Sequence, residues 1–177
     1  AYMTSGWDDA VMLSADNMGD GFAAKVFDCT GGKCNELYGS TAVKSPGQFY
    51  GEITQFLGFH CLMAGKVTGL AAYTDWRPAY PLISKLFSLN EEGTDFVVAP
   101  LWQRNRRKGV FAELKRFSPA QVSAATQQRF EDVMVGYAKR ALEITGRRNV
   151  ALAGGIFGNV KLNQRIMELD EVDEVFV

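Results

Sequence analysis

The sequence has little of the chemistry that usually builds a self-contained metal or catalytic site. Its 177 residues include one histidine, His60, and three cysteines, Cys29, Cys34 and Cys61. With a single histidine and no second pair of cysteines, a four-ligand zinc site is disfavoured. We therefore expect three reduced thiols, the ordinary state of cysteine in the cytoplasm, and a cytoplasmic location.

An excess of charge of one sign is also missing. The chain carries 19 Lys and Arg against 20 Asp and Glu, for a net charge of −1. Such a balance provides no general attraction to nucleic acid or to an anionic membrane surface. No apolar run approaches the roughly 18 residues that a transmembrane helix needs. We therefore expect neither nucleic acid nor membrane as a partner of this globular, 47% apolar chain.

Short apolar runs between glycine-rich and Asx-rich turns predict a β-meander at the start of the chain. The strands are expected over residues 9–15, 22–29 and 34–39. Helices are then expected over residues 46–57, opened by Ser45-Pro46 and ended by Gly58, and over residues 66–73.

The last third of the chain predicts a long helix followed by a strand–turn–helix unit. A capping box at residues 118–121 opens the helix and Gly146 ends it. The apolar run at residues 150–153 suits a strand covered on both faces, and it leads into glycines and a helix over residues 160–169. A final strand is expected over residues 171–177. The whole pattern predicts a mixed α/β fold.

The domain organisation is expected to be one incomplete domain over residues 1–177. The chain does not begin with methionine, and its end reads as a strand without a following turn. We therefore expect a domain truncated at both ends. Within it, residues 76–117 are interrupted by prolines and show loose patterning, so they are expected to be an insertion with little regular structure.

The glycine pair Gly154-Gly155 is the first candidate for ligand binding. Glycines let a backbone approach a ligand closely, and the start of the next helix favours phosphate. Asn159 stands where the helix cap belongs and could reach a nucleotide. The alternative is a turn that only packs tightly, and these residues alone favour neither interpretation. The segment lacks the patterns of a Walker loop and of a dinucleotide fingerprint.

The second candidate is the Asp- and Gly-rich turn over residues 16–21. An aspartate at the end of a core strand can hold a divalent metal, or its turn can position phosphate with backbone N–H groups. The alternative is a hairpin turn rich in Asx residues, which is the favoured interpretation of Asn17 and Asp20. For Asp16 the functional interpretation is preferred.

Four segments in order resemble successive blocks of the O-carbamoyltransferases of nodulation-factor and antibiotic biosynthesis. They are AVMLSADNMGDG at residues 10–21, YGEITQFLGF at 50–59, GKVTGLAAY at 65–73 and LAGGIFGN at 152–159. Gln127 and Glu131 on the long helix also fit the resemblance. Ala64 and Thr68 depart from it, standing where the family usually has glutamate and methionine.

The resemblance implies a partial actin-like ATPase fold of the ribonuclease H-like class, related to the enzymes that form threonylcarbamoyladenosine in tRNA. It implies an enzyme that makes carbamoyl-adenylate from ATP and carbamoyl phosphate in a C-terminal domain of the same polypeptide. The carbamoyl group then passes to a hydroxyl of a small acceptor, either a sugar or an antibiotic-like molecule.

The resemblance also assigns site residues. It implies that Gly154, Gly155, Asn159 and Lys66 bind the nucleotide and that Asp16 is a ligand of a divalent metal, with iron as the expected ion. No catalytic residue is assigned. Because the family's other metal ligands lie outside these residues, we expect this fragment alone to hold no catalytic metal and to be inactive. The alternatives are a phosphotransferase or ATPase on the same fold and a nucleotide-binding module without catalysis.

Overall fold

The structure is a computed structural model that describes residues 1–98 and 104–177. Its centre is a five-stranded sheet with the order β3-β2-β1-β6-β7, accompanied by a separate β4–β5 hairpin. The strands are β1 (Asp9–Gly19), β2 (Phe22–Thr30), β3 (Lys33–Thr41), β4 (Phe87–Leu89), β5 (Phe96–Val98), β6 (Asn149–Ala153) and β7 (Glu174–Phe176).

Strands β1, β2 and β3 pair antiparallel, whereas β6 joins the other edge of β1 in parallel. The meander and the later strand are therefore confirmed, and the fold class is mixed α/β. The parallel register places Ser14 beside Ala153. Consequently, the chain that leaves β1 and the chain that leaves β6 emerge next to each other at the same end of the sheet.

Helices cover the sheet unequally. They are α1 (Tyr2–Ser5), α2 (Pro46–Phe56), α3 (Ala64–Ala71), α4 (Tyr80–Ile83), α5 (Arg104–Leu114), α6 (Pro119–Thr145) and α7 (Val160–Met167). Val11, Leu13 and Ala15 of β1 point into the main core, which contains the buried face of α6. Ala10 points to the opposite face, where Tyr2 of α1 packs with it. The alternation along β1 thus buries both faces of the strand.

The long helix α6 forms where the capping box and the glycine predict it. The Ser118 hydroxyl accepts from the Gln121 backbone N–H at 3.2 Å, and the Gln121 side chain accepts from the Ser118 N–H at 3.0 Å. Gly146 ends the helix with a φ of 66°, a conformation that glycine adopts without steric cost.

The prediction of little regular structure over residues 76–117 is wrong. This segment contains α4, the β4–β5 hairpin and α5. Phe87 stacks on Phe49 of α2 at 4.7 Å between ring centroids, and Phe96 lies 4.6 Å from the Tyr137 ring of α6. Pro81 lies in the first turn of α4, where it starts a helix rather than breaking one. That the segment is an insertion stays a prediction.

The prediction of three reduced thiols is also wrong. Cys29 and Cys34 face each other in the β2–β3 pairing and are joined by a disulfide, while Cys61 is free. The hairpin register brings their Cα atoms to 4.1 Å, a contact that cysteine counts from the sequence do not reveal. Across the described ranges, no helix has both the length and the apolar character needed to cross a membrane.

Candidate functional site

The two candidate turns of the sequence meet in the structure. β1 continues past Ala15, and its pairing with β2 is irregular between Ala15 and Gly19. Asp16 lies in this irregular stretch, where its Oδ1 accepts from the Asn17 backbone N–H at 2.7 Å. Its Oδ2 accepts a long hydrogen bond of 3.4 Å from the Gly155 backbone N–H. The carboxylate of the early hairpin therefore faces an amide of the late glycine turn.

Gly154 makes this meeting possible. Its φ is 99°, and a Cβ at this position would lie 2.2 Å from the carbonyl oxygen of Ala15. A side chain there would meet a backbone atom that has no freedom to move away. Gly154 thus allows the two turns to touch, and it is Gly155, the next residue, that lines the open space beside them.

A cavity of about 900 Å³ opens beside the paired turns. Its lining includes Asp16, Gly155 and Asn159 together with Gly47 at the start of α2 and Gly65 at the start of α3. This volume suits a ligand of cofactor size. Part of the remaining wall is apolar and includes Phe130 and Ile156.

Asn159 is fixed by three hydrogen bonds at the start of α7. Its Oδ1 accepts from the Leu162 backbone N–H at 3.2 Å, which confirms the predicted helix cap. The same oxygen accepts from Gln127 Nε2 at 3.1 Å, and Asn159 Nδ2 donates to Gln127 Oε1 at 3.1 Å. This reciprocal amide pair ties the late turn to α6.

The amide of Gln127 continues into a buried polar network. Tyr50 of α2 donates to Gln127 Oε1 at 2.7 Å, and its hydroxyl also lies 2.8 Å from the Thr68 hydroxyl of α3. Gln127 Nε2 donates to Glu131 Oε1 at 2.7 Å. Tyr50 and Thr68 line the cavity, so the network connects the cavity wall to a carboxylate inside the core.

Glu131 is almost completely buried and is paired with Arg165 of α7. Its side chain is 7% exposed, and its Oε2 accepts from Arg165 Nη1 at 3.3 Å. The same guanidinium nitrogen donates to Asp132 Oδ1 at 2.9 Å. Since a buried carboxylate needs partners for its charge, Arg165 and Gln127 together make the burial of Glu131 tolerable.

Burial keeps the phenol of Tyr50 protonated. Desolvation raises its pKa well above the usual range, and the Glu131 carboxylate adds to this rise, while the hydrogen bond from Thr68 opposes it. Tyr50 is therefore a hydrogen-bond donor throughout the neutral pH range.

Buried tyrosines are expected to make the protein sensitive to alkaline pH. Burial raises the pKa of Tyr38, Tyr50 and Tyr137. Because their folded pKa values exceed the unfolded value of about 10, their contribution to stability is complete below pH 10 and is lost as the pH rises further. A tyrosinate absorbance titration should show delayed ionisation in the folded protein. Ionisation of all six tyrosines at one pH, as in urea, would contradict this.

Lys66 is not brought to this cavity wall. It lies on an exposed part of α3, whereas its neighbours Gly65 and Thr68 line the cavity. Its assignment to a nucleotide therefore stays a prediction without geometric support. Asp16 does line the cavity, but the described residues contain no cluster of three or more His, Cys, Asp or Glu side chains fit for a metal. These residues alone do not fit a metal centre.

The sequence reasoning did not assign Tyr50 or Thr68 to the site, and it noted Gln127 and Glu131 only as part of the resemblance. A signal was present, because Gln127 and Glu131 interrupt the apolar face of α6 four residues apart. Two polar side chains in that arrangement share one helix face and indicate a buried hydrogen-bond pair. Thr68 offered no comparable signal.

Comparison with known proteins identifies the family of this chain. The family described as Carbamoyltransferase N-terminus matches residues 1–177, and the chain belongs to that family. The chain is 27% identical to Nodulation protein NolNO of Sinorhizobium fredii and 28% identical to Nodulation protein NolO of Bradyrhizobium diazoefficiens, in both cases over its whole length. It spans 27% and 33% of the lengths of these proteins.

Two solved structures are similar in outline. Component A of the (R)-2-hydroxyglutaryl-CoA dehydratase of Acidaminococcus fermentans aligns at a TM-score of 0.49 and 13% identity, covering 99% of this chain and 57% of that one. The Lmo2764 protein of Listeria monocytogenes aligns at a TM-score of 0.46 and 9% identity, covering 97% and 53%. Likenesses of this strength support no conclusion about function.

Proposed function

We propose that this chain is the part of an O-carbamoyltransferase that holds carbamoyl-adenylate during transfer to an acceptor hydroxyl. The observation that supports this proposal most directly is the contact between the Asp16 carboxylate and the Gly155 amide on the wall of a cavity of about 900 Å³. Membership of the Carbamoyltransferase N-terminus family supports the same reaction. Carbamoyl phosphate and ATP are the proposed sources of the adenylate, and a cytoplasmic location is part of the proposal.

The residues of the chain have separate tasks in this proposal. Gly155 has no side chain of its own to keep an anionic group away from the backbone of the turn, and its amide makes only the long 3.4 Å hydrogen bond to Asp16. Asn159, held by Gln127, offers a fixed amide to the carbamoyl end of the adenylate in the same cavity. A fixed backbone donor such as the Gly155 amide stabilises charge on the leaving phosphate because it needs no reorganisation during the reaction.

The transfer step exchanges one bond at the carbamoyl carbon for another. The acceptor oxygen forms a bond to the carbamoyl carbon and releases its proton to water, while the bond from that carbon to the phosphate oxygen breaks. AMP leaves with that electron pair, and the acceptor becomes a carbamate ester. The proposed metal, with iron as the expected ion, would take Asp16 as one ligand and needs further ligands from outside the described residues.

The test is whether the longer polypeptide that contains this chain consumes ATP only when carbamoyl phosphate is present. We expect AMP to appear with both substrates and to be nearly absent with ATP alone. ADP formed together with a phosphorylated acceptor would instead identify a phosphotransferase. Nucleotide binding without turnover would identify a non-catalytic module.

A pair of variants connects this activity to the cavity. A Cβ at Gly155 would lie 3.2 Å from Asp16 Oδ1, so Gly155→Ala crowds the turn from inside the site. We expect it to slow AMP formation about tenfold, the result of about 1.4 kcal/mol of lost transition-state stabilisation. Glu143→Ala, a change on an exposed part of α6, is the matched control and should keep the wild-type rate.

A further inference from the structure

In each hydrogen bond of the buried network, the Glu131 carboxylate determines which group donates and which accepts. A carboxylate paired with a guanidinium only accepts hydrogen bonds. The Gln127 group 2.7 Å from Glu131 Oε1 must therefore be the NH₂ end of its amide. It follows that the oxygen end of Gln127 faces Tyr50 and Asn159.

The direction continues through Tyr50 to Thr68. Since Gln127 Oε1 only accepts, the single proton of the Tyr50 hydroxyl is used in the 2.7 Å bond to it. The 2.8 Å bond between Tyr50 and Thr68 must then take its proton from Thr68. Thr68 has no other hydroxyl proton, so it presents only lone pairs to the cavity that it lines.

Asn159, at the other end of the network, offers the cavity a hydrogen-bond donor, whereas Thr68 offers an acceptor. Its Oδ1 already accepts from Leu162 and Gln127, which uses both lone pairs. One proton of its Nδ2 goes to Gln127, and in the described parts of the chain the second has no protein acceptor. Asn159 therefore presents one N–H donor to the cavity, three hydrogen bonds away from the acceptor on Thr68.

We propose that this acceptor–donor pair recognises the carbamoyl group itself, with its NH₂ donating to Thr68 Oγ1 and its carbonyl oxygen accepting from Asn159 Nδ2. The proposal rests on the proposed function above and names the part of the substrate that this wall selects. Glu131 is a positioning residue, since it acts only through Gln127.

The test compares two stable ligands that differ in one group. They are the sulfamoyl analogue of carbamoyl-adenylate, which carries the NH₂, and its acetyl counterpart, which carries CH₃ instead. Calorimetric titration of the longer polypeptide should show the carbamoyl analogue binding about tenfold more tightly, the effect of one hydrogen bond. In Thr68→Val the two analogues should bind within about twofold of each other, because valine keeps the shape and removes the lone pairs. Thr68→Ser should restore the preference.

The role of Glu131 has its own readout. Glu131→Gln lets the amide of Gln127 turn over, so we expect the preference for the carbamoyl analogue to fall below about threefold. A purely structural role would weaken both analogues equally and leave their ratio unchanged, which would overturn the positioning role. A tenfold preference that persists in Thr68→Val, or its absence from the wild type, would overturn carbamoyl recognition while leaving the proposed function standing. Failure of the wild type to bind either analogue would overturn both.

Discussion

Replacing Gly154 with alanine is expected to lower the free energy of unfolding by about 3 kcal/mol or more, because the new Cβ clashes with a backbone atom and no side-chain movement can remove the clash. A Cβ would lie 2.2 Å from the Ala15 carbonyl oxygen, and the φ of 99° is unfavourable for alanine. To relieve the clash, the glycine turn must move away from β1. Such movement also separates Gly155 from Asp16, so binding of adenosine nucleotides should be lost together with stability.

The matched control for stability is Gly158→Ala, four residues later in the same turn. No atom lies within 4 Å of a Cβ at Gly158, and its φ is not in the left-handed region. We expect its free energy of unfolding, measured in urea, to stay within about 0.5 kcal/mol of the wild-type value. Equal midpoints for the Gly154 and Gly158 variants would show that the turn is not held against β1.

Replacing Glu131 with alanine is expected to cost about 2–3 kcal/mol of stability. The change removes one of the two acceptors of Gln127 Nε2 and one of the two carboxylates that bind Arg165. The side chain of Arg165 is 32% exposed, so water can solvate the guanidinium when Glu131 is removed. We therefore expect a smaller loss of unfolding free energy than the removal of one partner of a fully buried ion pair would cause. The amide of Gln127 has no such access to water, since it is buried.

Glu143→Ala on the same helix is the control for this second prediction. Glu143 pairs with Arg140 three residues earlier, and its side chain is 62% exposed. Exposed pairs of this type contribute little, so the expected change is below about 0.5 kcal/mol. Urea denaturation of both variants measures the difference. A cost for Glu131→Ala as small as that for Glu143→Ala would mean that the buried network does not stabilise the fold.

Local signals predicted the elements that depend on local contacts. The capping box and Gly146 bound α6 because hydrogen bonds within a few residues decide where a helix begins and ends. The three-residue strands β4 and β5 were missed because so short a segment shows no periodicity. They are held by aromatic contacts to Phe49 and Tyr137, residues distant in the chain.

The residue types of the candidate site could be identified from the sequence, but their positions relative to one another could not. The glycines at 154 and 155, the cap Asn159 and the strand-end Asp16 were identified from residue types that suit turns and caps. Their meeting across 139 residues follows from the parallel pairing of β1 with β6. The exclusion of Lys66 from the wall depends on how α3 is rotated, which side-chain type does not reveal.

Local conformations can be read from the amino-acid sequence alone: the meander, the capped helix and the glycine turn. The family resemblance can be read from it as well. The local conformations depend on backbone sterics and on hydrogen bonds between near neighbours. Three further features depend on contacts between distant segments: the pairing of Cys29 with Cys34, the packing of residues 80–98 into the core, and the directions of the hydrogen bonds of Tyr50 and Thr68. Each of these features depends on a partner from another helix or strand. A buried polar group needs a hydrogen-bond partner and a buried apolar group needs packing neighbours, and the fold determines which residues are near enough to supply them.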